Sequence, residues 1–159
     1  MDNEKNLSIK QILLLAFTAF MLHLIWENAQ APLFAGYVSF GQNLPICFLG
    51  TIGDVVFTLL VYLGIGLLKN DFGWIMRLNR KDIAVIAALG FLGAIAIEWR
   101  ALLFGRWGYT DAMPIIPYVQ VGLTPILQMT LLLPLSFYVT SKLHSPRYIR
   151  TGKPVRMYP

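Results

Sequence analysis

Three carboxylates sit inside sequence that is otherwise fit for hydrocarbon: Glu27, Asp54 and Glu98. An ionisable side chain in lipid costs about 2.5–3.5 kcal/mol on insertion scales, so each of the three is a functional-site hypothesis by default. Residues able to donate, orient or neutralise lie near them. His23 precedes Glu27 by one helical turn, with Trp26 beside it. Arg100 follows Glu98, Gln128 opens the last apolar run, and Arg106, Trp107 and Tyr109 share a compact turn. Two or more carboxylates in low dielectric repel one another, so one can hold a proton as general acid while another acts as base. On this reading Glu98, Asp54 and Glu27 are the catalytic set. Arg106, Trp107, Tyr109, Gln128, Arg100, His23 and Trp26 bind or orient a substrate. Arg100 or Arg106 can instead pair with Glu98 and hold it ionised. The competing structural reading makes the same groups satisfied contacts that fix helix register.

His23 and Glu27, at i, i+4 spacing on one helix face, can also begin a metal site with Asp54 and Glu98. A single histidine on a membrane helix is more often an interhelical hydrogen-bond partner. With two histidines and one cysteine in the whole chain, no metal and no cofactor are expected. No nucleotide loop, serine triad or redox pair is present.

The elements that must position these residues follow from composition. Of 159 residues, 57% are hydrophobic and 13% charged, about half the charge usual in a soluble domain. Mean hydropathy is +0.62. Apolar runs at about 9–29, 46–68, 82–104 and 119–141 are each long enough to span a bilayer. In lipid a chain must satisfy its own backbone hydrogen bonds, so the runs are helices. The fold class is all-α integral membrane: a four-helix domain over 1–145 and a basic tail over 146–159. Ala29-Gln30-Ala31 resembles a signal-peptide cleavage site, but the length of the first run and Glu27 near its end favour a span. Asp82 is expected to cap the third helix. Phe72, Trp74 and Ile75 are expected at the membrane interface. Pro125 and Pro134 are expected to kink or open the fourth helix, Pro125 freeing a carbonyl near Gln128.

Eleven lysines and arginines fall in the N-terminus, the 69–81 loop and the tail, against Arg100 and Arg106 on the other side. The positive-inside rule then puts both termini in the cytoplasm and loops 30–45 and 105–118 outside, in a bacterial plasma membrane crossed four times. With that orientation Asp54, Glu98 and Gln128 lie at similar depths, about 9–14 Å from the outer helix ends at 1.5 Å per residue. His23 and Glu27 lie in the same outer half. The chain also reads as a weak tandem repeat. Trp26-Glu27, Gly36-Tyr37, Pro45-Ile46 and Thr51…Asp54 echo Glu98-Trp99, Gly108-Tyr109, Pro114-Ile115 and Thr124…Gln128. That would give parallel two-helix halves about an axis along the membrane normal.

The expected partners are membrane lipids and a hydrophobic small molecule. The net charge of +5 gathers at span ends and forms no basic face interleaved with stacking aromatics, which argues against nucleic acid. Ala84, Ala88, Gly90, Gly93 and Ala94 give helix 3 small-residue faces suited to close packing, including a homo-oligomer.

Trp26-Glu27-Asn28, Gly53-Asp54, Glu98 followed by GRWGY at 105–109 and Met113-Pro114, and VGLTPILQ at 121–128 resemble a group of small four-helix bacterial membrane proteins. That likeness implies the fold and no activity. A fainter likeness is to the integral-membrane lycopene cyclase domains. Their helices end in a Trp-x-Tyr turn, followed after a glycine by a Pro-x-Glu-Glu helix start. Trp107, Tyr109, Gly122 and Pro125 fit that outline, but Leu127 and Gln128 stand where the carboxylate pair would be. Glu98 or Asp54 would have to supply the acid. The function expected is binding of, or acid–base isomerisation or cyclisation on, a lipid or isoprenoid. Two alternatives stand beside it: a small transporter or transporter subunit using Asp54 and Glu98 as a proton or cation relay, and a non-catalytic membrane partner protein.

Overall fold

A computed structural model describes residues 8–144; the expected tail, 146–159, lies outside the described residues. Four helices, α1 (Ile9–Gln30), α2 (Phe40–Lys69), α3 (Arg80–Leu103) and α4 (Leu123–His144), form the molecule. All four are long and apolar enough to cross a membrane. They alternate in direction. The segments 31–39 and 104–122 therefore meet at one end, called here the loop end, and the short link 70–79 lies at the other.

The helix ends have local causes. α2 starts at Phe40, six residues ahead of the expected run, because the Asn43 side chain reaches back and accepts from Val38 N and Ser39 N at 3.0 and 3.3 Å. Pro45 is thereby taken inside the helix. Asp82 is not the cap of α3. Asn79 is, with Oδ1 accepting from Lys81 N and Asp82 N at 2.8 and 3.1 Å. Asp82 closes a capping box from the third helical position, and Lys69 Nζ reaches it at 2.5 Å from the end of α2. α4 begins only at Leu123, since the residues before it form a small antiparallel hairpin, β1 (Ile115–Ile116) with β2 (Val121–Gly122). Pro125 therefore stands in the first turn of α4, where no intrahelical N–H bond is due, and frees no carbonyl. Pro134 does lie inside the helix.

The 70–79 link is built into the bundle. Trp74 and Ile75, expected at the interface, are 1% and 0% exposed. The Trp74 ring lies between Tyr62 and Phe137, with centroids 6.0 and 5.3 Å away. Its Nε1 donates to the Tyr62 carbonyl at 3.2 Å. With Leu15, Val61, Ile65, Ile86 and Leu133 these residues form the core of this half.

α1 packs along α2 and α4, and α3 packs along α4. The α3–α4 approach is close: a side chain at Gly90 would collide with the Met129 carbonyl. No comparable packing joins α2 to α3; midway along the pair the Phe57 ring is seated on Gly93, and at the far end Lys69 pairs with Asp82. A twofold relation between the halves would make α2–α3 the equal of α1–α4, so the halves are not packed alike. Gly90, Gly93 and Ala94 are occupied within the chain, whereas Ala84 and Ala88 stay exposed.

Candidate functional site

α1 carries His23, Glu27 and Gln30 on one face, at positions i, i+4 and i+7, and turns that face inward. α4 presents Gln128 to it, and α2 presents Asp54. The Gln128 amide nitrogen stands 2.9 Å from Glu27 Oε1, 2.8 Å from Asp54 Oδ2 and 3.1 Å from His23 Nδ1. Its carbonyl accepts from Gln30 Nε2 at 2.6 Å, and Gln30 Nε2 is also 3.2 Å from Glu27 Oε1. Trp26 Nε1 closes the chain by donating to Gln30 Oε1 at 3.1 Å. His23 Nδ1 lies 3.2 Å from Asp54 Oδ2. His23 is fully buried, while the Asp54 side chain keeps 17% of its surface exposed. Glu27 lies against Gly50, where an added Cβ would stand 3.2 Å from Oε2. Among the described residues no three His, Cys, Asp or Glu side chains are arranged to hold a metal; the Gln128 amide fills the point on which His23, Glu27 and Asp54 converge.

Glu98 belongs to a second group. It is buried on α3 and accepts from Trp107 Nε1 at 3.1 Å and from the Tyr109 hydroxyl. Burial first, and the Glu98 carboxylate second, hold the Tyr109 phenol above its ordinary value, so it remains a donor. The turn that carries these donors is clasped to the first loop. Ala35 N donates to Gly108 O at 2.9 Å, and Thr110 N donates to Leu33 O at 3.0 Å. Phe34 pairs with Tyr109 along the backbone and, at 5.6 Å, ring to ring. Both loops therefore fix the roof over Glu98.

The two groups lie at similar heights along α2 and α3. Asp54 is three residues loopward of Phe57 on α2, and Glu98 is five residues loopward of Gly93 on α3. At 1.5 Å per residue they stand roughly 4.5 and 7.5 Å above the Phe57–Gly93 contact. Gly53, beside Asp54, has open space where a side chain would be.

Not every expected residue joins the site. Arg100 and Arg106 are exposed and make no ion pair with a carboxylate among the described residues. Indole and phenol donors, not a guanidinium, hold Glu98. Thr51 hydrogen-bonds the Cys47 carbonyl at 2.8 Å rather than Asp54. Gln30 was missed, although its i+7 relation to His23 could have found it. A groove of about 510 Å³ between α1 and the start of α2 is lined by Leu24, Ile25, Asn28, Ala29, Phe40 and Leu44, none of them a member of either polar group. No family model, curated protein or solved structure matches the chain.

Proposed function

We propose that this chain is a multi-pass protein of the bacterial plasma membrane whose loop-end polar site binds a lipid or isoprenoid and acts on it by acid–base isomerisation or cyclisation. One observation carries the reading. Asp54 and Glu98 stand at similar heights on either side of the helix pair that is not packed together, each backed by neutral hydrogen-bond donors and neither neutralised by lysine or arginine. A substrate reaching them from the bilayer would pass between α2 and α3, over Phe57 and beside Gly53. Asp54, the more exposed acid, would give the proton, and Glu98 would take one back, its charge spread onto Trp107 and Tyr109. Glu27 and Gln128 would hold Asp54, and Arg106 would meet a polar head at the rim. With both termini in the cytoplasm, the orientation that the charge count supports, this site would lie in the outer leaflet.

The relay alternative, with Asp54 and Glu98 passing a proton or cation, draws on the hydrogen-bonded linkage of His23, Asp54 and Glu27. Against it, the half of the bundle away from the loops is filled by the apolar core around Trp74.

Proton exchange with a substrate carbon leaves a mark. The protein, reconstituted in heavy water with a bacterial lipid extract, should place deuterium on carbon in one lipid class. Asp54→Asn and Glu98→Gln should abolish the labelling. Labelling absent from wild type, together with a protonophore-sensitive pH change in liposomes, would move the assignment to the relay.

A further inference from the structure

The Gln128 amide nitrogen carries two hydrogens and faces three acceptors, Glu27 Oε1, Asp54 Oδ2 and His23 Nδ1. One of the three contacts is therefore not an amide hydrogen bond. The separation of 3.2 Å between His23 Nδ1 and Asp54 Oδ2 identifies it. Two bare lone pairs at that distance, in a fully buried place, would repel; a hydrogen between them turns the contact into a bond. With that hydrogen on Nδ1, the amide hydrogens go to Glu27 and Asp54, and the 3.1 Å approach of Gln128 Nε2 to His23 Nδ1 is a contact between two donors that converge on Asp54 Oδ2, not a hydrogen bond. The other ring nitrogen, Nε2, is buried and has no partner among the described residues. Around the ring, α1 contributes Glu27, α2 contributes Asp54 and α4 contributes uncharged Gln128, while Glu98 of α3 is bonded to the 104–113 turn. No lysine or arginine forms an ion pair with Glu27 or Asp54 among the described residues.

We infer that His23 and Asp54 are a proton relay, with Gln128 as the positioning residue that aims Asp54 Oδ2 at His23 Nδ1. The inference rests on the acid–base reading and extends it by naming the source of the acid's proton. When protonated Asp54 gives its proton to a substrate carbon, the carboxylate left behind takes the hydrogen on Nδ1. Nε2, buried in the closed bundle, takes a proton from a water molecule admitted with the substrate as Nδ1 gives one up. The proton that Glu98 removes from the substrate returns to the hydroxide left behind, so the ring passes through no anion and the count closes at one proton in and one out. His23, fully buried behind the partly exposed Asp54, is thus the internal store, and Asp54 is the group that meets the substrate.

The ring's state can be read directly. His144 is the chain's other histidine, so His144→Gln leaves His23 as the single imidazole. Nitrogen NMR of that protein, labelled at histidine and held in lipid nanodiscs, should show a hydrogen on Nδ1, and Asp54→Asn should shift that signal. A ring with its hydrogen on Nε2 alone, unmoved by Asp54→Asn, would overturn the relay. The first measurement needs no substitution inside the cluster, so a misfolded variant cannot stand in for the answer. The outcome is separable from the function test. Nδ1–H without lipid deuteration would keep the proton site and remove the lipid reading, while deuteration with Nε2–H would do the reverse.

Discussion

Tyr109 couples a loop to a buried acid, and its chemistry has a pH consequence. Its phenol is held above the ordinary tyrosine value by burial and by Glu98. The unfolded chain therefore gives up this proton first as pH rises past about 10. The native state then holds more protons than the unfolded one, so the bond's contribution is complete below that pH and is lost above it. Thermal unfolding in detergent should show wild type more stable than Tyr109→Phe near pH 8, by about 1.5–3 kcal/mol for a bond to a charged group. The gap should narrow as pH rises above about 10. A gap that widens in alkali would contradict the bond. The residues of the site were largely legible beforehand, because polar side chains in apolar runs announce themselves. Their partners were not. Charge attraction favoured Arg100 or Arg106 for Glu98, yet both lie exposed at the loop end while the loop clasp brings Trp107 and Tyr109 onto the carboxylate. Which donor wins depends on how residues 104–113 fold over the helix ends, and no periodicity encodes that.

Among the elements, α3 and α4 approach because Gly90 lets a helix backbone lie against it, whereas Gly53 of α2 opens on free space. The same substitution at the two sites should therefore give opposite signs. Gly90→Ala forces α3 and α4 apart and should cost about 1–3 kcal/mol. Gly53→Ala should be neutral or stabilising by up to about 1 kcal/mol, since alanine is the better helix former. Denaturation midpoints in one detergent compare them, and equal losses at both sites would show that α3 and α4 are not in backbone contact. The existence of four helices followed from apolar length alone. Their ends did not, because α2 and α3 are set by side chains capping from outside the apolar run, Asn43 reaching back in one case and Asn79 with Asp82 in the other. Pro125 was misplaced for a related reason: the β1–β2 hairpin uses residues that hydropathy assigns to the span.

For the whole molecule, the uneven closure of the bundle matters most. α1, α4 and α3 form a packed series, α2 lies on α1, and near the site the α2–α3 contact is one aromatic ring on one glycine, with the Lys69–Asp82 ion pair joining the two helices at the far end. A tandem pattern in sequence predicts equivalent seams and cannot say which one is loosened; that depends on side-chain volume at Phe57 and Gly93. The proposed orientation is open to direct test. In a Cys47→Ser background, a membrane-impermeant thiol reagent should label Gln120→Cys and spare Arg80→Cys in intact spheroplasts, both positions being exposed. The reverse pattern would invert the topology and move the site to the inner leaflet. The central claim, that Asp54 and Glu98 serve a lipid-derived substrate, is tested most directly by mass spectrometry of the molecules retained by purified protein. Wild type should carry one lipid or isoprenoid class above the detergent background, and Glu98→Gln and Asp54→Asn should change its amount or identity. Identical lipid content in all three proteins would contradict the account.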